Sequence, residues 1–246
     1  MANRKHYQFD MMVSGGYISD HSFNHKFGAV DGIGNNTTGT VWDVPNEIYP
    51  WAALDTPAIV NVERNDADDN GIVVTVDGLD GDHNPVSEDI TITGADQTGS
   101  QLFARVNRAF ISGAATNAGD IDIEAGAAGG TTVARIQEGY GQTLMSVFTV
   151  PAGKTAYMHR LTATAQDDKD ATGWMYSRQH NGTTAFRVTH TWEFNGDGGQ
   201  YHYDFAFPLP FEEKTDIDMR VTTRGQNGRY TIAFDILLVD NTAGTP

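Results

Sequence analysis

The chain has 246 residues, no cysteine and a formal charge of −16 at neutral pH. These values exclude disulfides, thiolate chemistry and thiolate-bound zinc. They also argue against a nucleic-acid partner, because phosphate binding needs a basic face.

No apolar run reaches the length of a membrane span, so no membrane partner is expected. The polar N-terminus around Asp10 lacks the apolar segment of a secretory signal, so synthesis in a cytoplasm is expected. Of the 32 acidic residues 24 are Asp and 8 are Glu, and Gly occurs 27 times. Asp and Gly belong to turns rather than helix interiors, so this bias points to many bends between short strands. Only 5 of the 16 basic residues are Lys, and such an acidic surface suits a salty medium, where self-repulsion is screened.

In chain order, residues 1–50 carry scattered aromatics among Gly and Asn with no sustained period. They read as an arm that packs on another surface, or as loops with one or two edge strands. Residues 51–136 alternate with period 2 in IVNVE, IVVTVDG and DITITG, a meander with Gly, Asn, Asp and Pro at the bends. A second pair, QLFARVNRAFIS and DIDIEA, follows. A soft boundary falls in the Gly-rich stretch 126–139. Residues 137–246 hold TLMSVFTV and TAYMHRLTATA as a hairpin about 151–153, then WMYSR, DIDMRVTT and YTIAFDILLV.

The clearest signal lies at 186–207. Phe186, Val188, His190, Trp192 and Phe194 share one face of its first arm, and Tyr201, Tyr203, Phe205 and Phe207 share one face of its second. A hairpin would set Trp192 against Tyr201, His190 against Tyr203 and Val188 against Phe205, with apolar residues facing apolar ones. This face reads as core. The fold class expected is all-β, built of antiparallel β-sandwiches with the C-terminal half jelly-roll-like and little helix.

Candidate chemistry is sparse. His21 and His25 could share a metal only on a helix, and their flanks are not helical. Asp66, Asp68, Asp69 and Asn70, and then Asp77, Asp80, Asp82 and Asn84, are oxygen-rich, but they lack the calcium-loop spacing and suit plain turns. Glu193 near Asp204 or Asp197 is the nominee for a glycosidase pair, and solvent-facing charge is its simpler role. Trp174, Tyr176, Trp192 and Tyr201 could stack on a sugar, although alternating aromatics in a sandwich are more often core. No nucleotide or hydrolase motif is present. No cofactor, metal or catalytic residue is expected.

Several stretches together resemble β-rich virion proteins of tailed, marine bacteriophages: VTVDGLDGDHNPVSEDITITG, FARVNRAFISGAATNAGDIDI, GYGQTLMSVFTVPAGKTAYMHRL, EEKTDIDMRV and FDILLVD. The resemblance covers residues 50–240 and rests on strands and turns rather than on an active site. It implies a non-enzymatic protein of the capsid exterior, of the decoration or cement type, assembled as a homotrimer on the major capsid protein or another virion protein. A receptor- or glycan-binding component of a head or tail fibre is the alternative. The arm aromatics Tyr7, Phe9, Tyr17, Phe23, Phe27, Trp42 and Trp51 are then the expected docking residues.

Overall fold

The computed structural model describes residues 9–166, 170–179, 185–195, 199–225 and 227–242. The chain is nearly all β and its strand pairings are antiparallel, as the period-2 pattern requires. In chain order a short helix α1 (Phe9–Ser14) leads to β1 (His21–Ile33) and β2 (Thr38–Thr40). Then follow β3 (Val60–Arg64), β4 (Val73–Leu79), β5 (Pro85–Thr91), β6 (Asp96–Thr98), β7 (Arg105–Ser112), β8 (Ile121–Ala125) and β9 (Thr131–Ile136). The last group is β10 (Val147–Thr149), β11 (Lys154–Ala165), β12 (Asp170–Gln179), β13 (Arg187–Phe194), β14 (Gln200–Phe211), β15 (Thr215–Arg224) and β16 (Gly228–Asp240). No helix among the described residues is long and apolar enough to cross a membrane.

These strands make two sandwiches. One pairs the sheet β1-β16-β11-β14 with the sheet β10-β15-β12-β13, and β2 also bonds to β15. Each strand of its first half bonds a strand of its second half in reverse order: β1 with β16, β10 with β15, β11 with β14, β12 with β13. A long ribbon of paired strands wrapped on itself produces this order, which is jelly-roll-like. Its core joins both sheets through Met158, Leu161, Met175, Trp192, Ile217, Met219, Tyr230 and Phe234. Trp192 lies flat on the bare backbone of Gly173, its partner in register; a Cβ there would fall 2.0 Å from the indole.

The other sandwich, β6-β3-β8-β9 over β5-β4-β7, is inserted between β2 and β10. Its core includes Val60, Val74, Phe103, Ile121 and Ile136. The chain leaves the jelly roll at Val41 and returns at Ser146, where the Ser146 N–H donates to the Val41 carbonyl at 3.0 Å.

Three expectations are corrected by this pairing. Residues 186–207 are not a hairpin, because β13 belongs to one sheet and β14 to the other. Residues 143–165 are not one either, since β10 bonds β15 while β11 bonds β14 and β16. The meander fails at β3, which bonds β6 and β8, and β7 bonds β4 rather than β8. The cause is common to all. Alternation specifies which side chains face inward, and a connection that crosses between stacked sheets gives the same alternation as a turn within one sheet. The facing of the rings survives: Trp192 stacks on Tyr201 at 5.5 Å, and His190 meets Tyr203 at 5.0 Å.

Residues 1–50 are not a free arm where they are described. β1 forms twelve register pairs with β16 as an edge strand, and β2 caps β15.

Candidate functional site

The surface with most to offer a partner lies where the jelly roll ends in the edge strands β13 and β14. Strand β14 matches β11 regularly until Leu209 opposite Met158, and the pairing resumes at Asp204 opposite Arg160. Four residues of β14, 205–208, therefore stand opposite His159 alone. Pro208 and Pro210 have no N–H to give to a ladder, which is why this strand sits at an edge and loops out here. Phe205 turns inward, 4.8 Å from the ring of Tyr203. Phe207 points away and is 89% exposed.

Beside this bulge, α1 lies over the outer face of the sheet and leaves a hollow of about 380 Å³. Phe9, Val13, Phe23, Arg160, Phe205 and Leu237 form much of its wall. Asp10, Ser14, His159, Asp204 and Asp235 line it as well, so the wall is polar as much as apolar, and the ion pairs of the outer face run past it. His25 Nδ1 lies 2.6 Å from Asp235 Oδ1, Arg160 Nε donates to Asp204 Oδ1 at 2.7 Å, and His202 Nε2 lies 3.2 Å from Asp204 Oδ2. The hydrogen bond from Arg160 holds the Asp204 carboxyl below its ordinary range, and His202 adds to this.

The expected docking residues divide here. Phe9 and Phe23, each about half exposed, meet in the hollow, and Phe9 packs edge-on against His21 with centroids 5.7 Å apart. Tyr17 is exposed, Phe27 is half-buried beside His25, and Tyr7 lies outside the described residues. Trp42 and Trp51 are interior, at 0% and 6% exposure, and cannot dock anything. With Tyr49 between them, at 5.1 and 4.8 Å, they line the base of the inserted sandwich.

Phe207 was missed as a surface residue because β14 reads as core. The signal that could have found it is the Pro-x-Pro of FAFPLPF, which no central strand tolerates.

The other candidates separate. His21 and His25 lie roughly 13 Å apart along a strand, and each has its own partner, the Ser19 carbonyl and Asp235. Asp66 accepts the Asp68 N–H, Asp69 accepts those of Ala118 and Gly119, and Asp80 accepts those of Asp82 and Asn84. Asp66 and Asp80 cap their own turns, and Asp69 ties its turn to the segment before β8. Glu193 binds Thr172 and Arg224 on one sheet, while Asp204 binds Arg160 on the other, so the two acids do not converge. Asp197 lies outside the described residues. Trp174 and Tyr176 sit away from the buried Trp192 and its neighbour Tyr201, so the four rings make no common platform.

A cleft of about 500 Å³ lies between the two sandwiches, walled in part by Lys26, Phe27, Asp77, Leu79, Asn107 and Arg108. Lys26 is buried and its Nζ donates to the Asn107 carbonyl. Burial, with Arg108 adding, lowers its pKa to about 7. Asp43, also buried, accepts the Leu144 N–H at 2.6 Å, yet burial still raises its carboxyl to about 8.

The two shifts act in opposite pH windows. Asp43 holds its proton when folded but not when unfolded, so its contribution is full below about pH 4 and lost as pH rises through 8. The penalty at Lys26 is relieved as pH rises from about 7 towards 10.5. Asp43→Asn is therefore expected to melt close to the wild type at pH 4 and above it at pH 8, by roughly 5 °C or more. Parallel melting curves for the two proteins from pH 4 to 8 would rule out the buried acid as the cause.

The fold and this surface define an all-β protein of two sandwiches, one jelly-roll-like, that displays the exposed ring of Phe207 beside a hollow of mixed aromatic and charged lining. No protein-family model matches the chain, and no curated protein sequence matches it. Among solved structures it is similar to those of infectious bursal disease virus. The Gx strain structure is 10% identical over 92% of this chain and 72% of the other, with a TM-score of 0.27. The Gt strain structure is 11% identical over 92% and 74%, again with a TM-score of 0.27. A VP2 mutant of the same virus, from derived T=1 particles, is 9% identical over 92% and 75%, with a TM-score of 0.19. Overlays this loose carry no argument about this chain.

Proposed function

We propose that this chain is a non-enzymatic structural protein of a tailed-bacteriophage particle, borne on the capsid exterior and decorating or stabilising the shell formed by the major capsid protein. The observation that carries the reading is the set of exposed aromatics on the jelly roll: Phe9 and Phe23 on its β1 side, and Tyr203 and Phe207 on the opposite edge strand β14. Apolar rings displayed on an acidic protein suit burial against another protein. The acids nominated for catalysis are held by Arg residues or lie outside the described residues, so nothing chemical competes for this surface. The sequence stretches resembling phage virion proteins supply the kind of particle.

The test is a shell assembled with and without the chain. Bound chain should raise the temperature or the salt at which the shell comes apart. The same set of rings could serve a head- or tail-fibre component that stacks them on a glycan. Unchanged shell stability together with binding on a glycan array, or lost adsorption to the host, would replace decoration by that role.

A further inference from the structure

We infer that the cleft between the two sandwiches binds a small organic anion, its carboxylate or phosphate group held between Lys26 and Arg108. This goes beyond the virion reading, which rests on the exposed rings of the jelly roll and stands whether or not the cleft is filled.

Three observations lead there. The first is the cleft itself. Its volume of about 500 Å³ lies within the ordinary range for small-molecule sites, which favour junctions between domains. Phe27, Phe148 and Leu238 wall it from the jelly roll, and Leu79 and Val86 from the inserted sandwich. These side chains suit a ligand whose body has an apolar face.

The second is charge. Each sandwich sends one cation to this wall, Lys26 from β1 and Arg108 from β7. Lys26 donates to the Asn107 carbonyl, while Arg108 donates to Gln142 Oε1 at 2.8 Å and lies over the Phe110 ring. Among the described residues neither forms an ion pair. By contrast Arg105, Arg135, Arg160, Arg178, Arg220 and Arg224 each hold a carboxylate. Two cations left to neutral partners on one wall are an exception in a chain carrying −16. Asp77, the one carboxylate in that lining among the described residues, accepts the Ser87 hydroxyl at 2.7 Å. His25 is engaged by Asp235. The nearby Asp43 keeps its proton at neutral pH, so it does not supply the missing charge.

The third is cost. Lys26 is 8% exposed, and a methionine there would fill the space without desolvating an amine. The Asn107 carbonyl takes one of the three N–H groups an ammonium offers. Two residues before it in β1, Asn24 also lines the cleft and makes no side-chain hydrogen bond among the described residues. An anion would take up these remaining donors and turn the repulsion between Lys26 and Arg108 into attraction to a shared partner. Ionisable groups held at such cost in clefts concentrate at binding sites.

The experiment is titration calorimetry on the full chain with benzoate, with phenyl phosphate, and with benzyl alcohol as their neutral counterpart. At least one anion should bind with a Kd of about 1 mM or tighter, and benzyl alcohol about tenfold more weakly or worse. The tighter of the two anions tells carboxylate from phosphate. Arg108→Gln and Lys26→Met should each weaken that binding about tenfold or more. Arg108 is exposed, so its variant should fold as the wild type does even if Lys26→Met does not. Arg224→Gln, exposed and outside the cleft, should keep the wild-type affinity. No binding of either anion at about 20 mM overturns the inference. So does benzyl alcohol binding as tightly as the anions, or wild-type affinity in both cleft variants. None of these results bears on shell stability, so the decoration reading is judged by its own test.

Discussion

Arg105→Ala is expected to lose about 3–5 kcal/mol of stability at neutral pH, a fall of roughly 10 °C in melting temperature. Arg105 lies in β7 of the inserted sandwich and is 2% exposed, while Asp216 lies in β15 of the jelly roll at 0%. Their fork is bidentate, with Nε on Oδ1 at 3.0 Å and Nη2 on Oδ2 at 3.2 Å. Arg105 also donates to the Ala104 carbonyl at 2.6 Å and to Asp55 at 3.0 Å. Thr149 and Arg178 complete the shell around Asp216, each at 2.6 Å. Burial pushes the Asp216 carboxyl up, and hydrogen bonds led by Arg105 more than offset it, so its pKa ends below the ordinary value.

A pair this buried contributes little net energy when whole, because desolvation offsets attraction. Breaking one side leaves a carboxylate in the interior with Arg178 as its remaining cation. The sign of the pH dependence follows. A lowered folded pKa stabilises above the unfolded value of 3.8 and is lost as pH falls through the folded one. The gap between wild type and Arg105→Ala should therefore narrow in acid. Arg105→Lys keeps a charge but not the fork, and should recover part of the loss. A fall below about 2 °C at pH 7 would show that the junction does not depend on this pair.

Gly28→Ala is expected to cost on the order of 3 kcal/mol, the upper part of the overpacking range. Gly28 pairs with Ile232 in β1, and the stem of the inserted sandwich crosses directly above it. A Cβ there would fall 2.4 Å from the Ser146 nitrogen and 2.5 Å from the Val41 oxygen. Both are main-chain atoms, so no side-chain rotation relieves the clash. The stem must lift, straining the Ser146 to Val41 bond and the bond from the Ala29 N–H to the Leu144 carbonyl. Easier cleavage near residues 41 and 146 by a protease, with a lower melting temperature, is the expected result. Gly94→Ala is the control, because its nearest neighbour would be 3.8 Å away. Equal cleavage of the two variants would mean that the stem is not held by close approach to β1.

Much of the candidate surface could be read from sequence, but unevenly. Phe9, Tyr17 and Phe23 stand out as aromatics in a stretch without period. Trp42 and Trp51 look the same there, and an aperiodic segment gives no means of telling a ring that caps a core from one that meets water. Strand β1 escaped notice because its inward positions include Asn24, Lys26 and Gly28. These blur the alternation that marks Val73–Leu79 at once. Lys26 is inward because its amine reaches the Asn107 carbonyl of the other sandwich, a partner 81 residues away.

The amino-acid sequence by itself determined the all-β class, the scarcity of helix and the inward face of the strands that alternate cleanly, such as Val73–Leu79. These follow from local rules: a period of two, turn chemistry, and the burial of apolar side chains. Tertiary structure alone decided which strands bond. Any two stretches with inward apolar faces can either pair side by side or stack across a core, and local pattern is the same in both. It also decided that residues 21–40 complete the sandwich of residues 147–240, and that Val188, Tyr203 and Phe207 on the aromatic face at 186–207 lie open. Exposure at an edge depends on what lies beyond it in space, and no neighbouring residue in the chain carries that information.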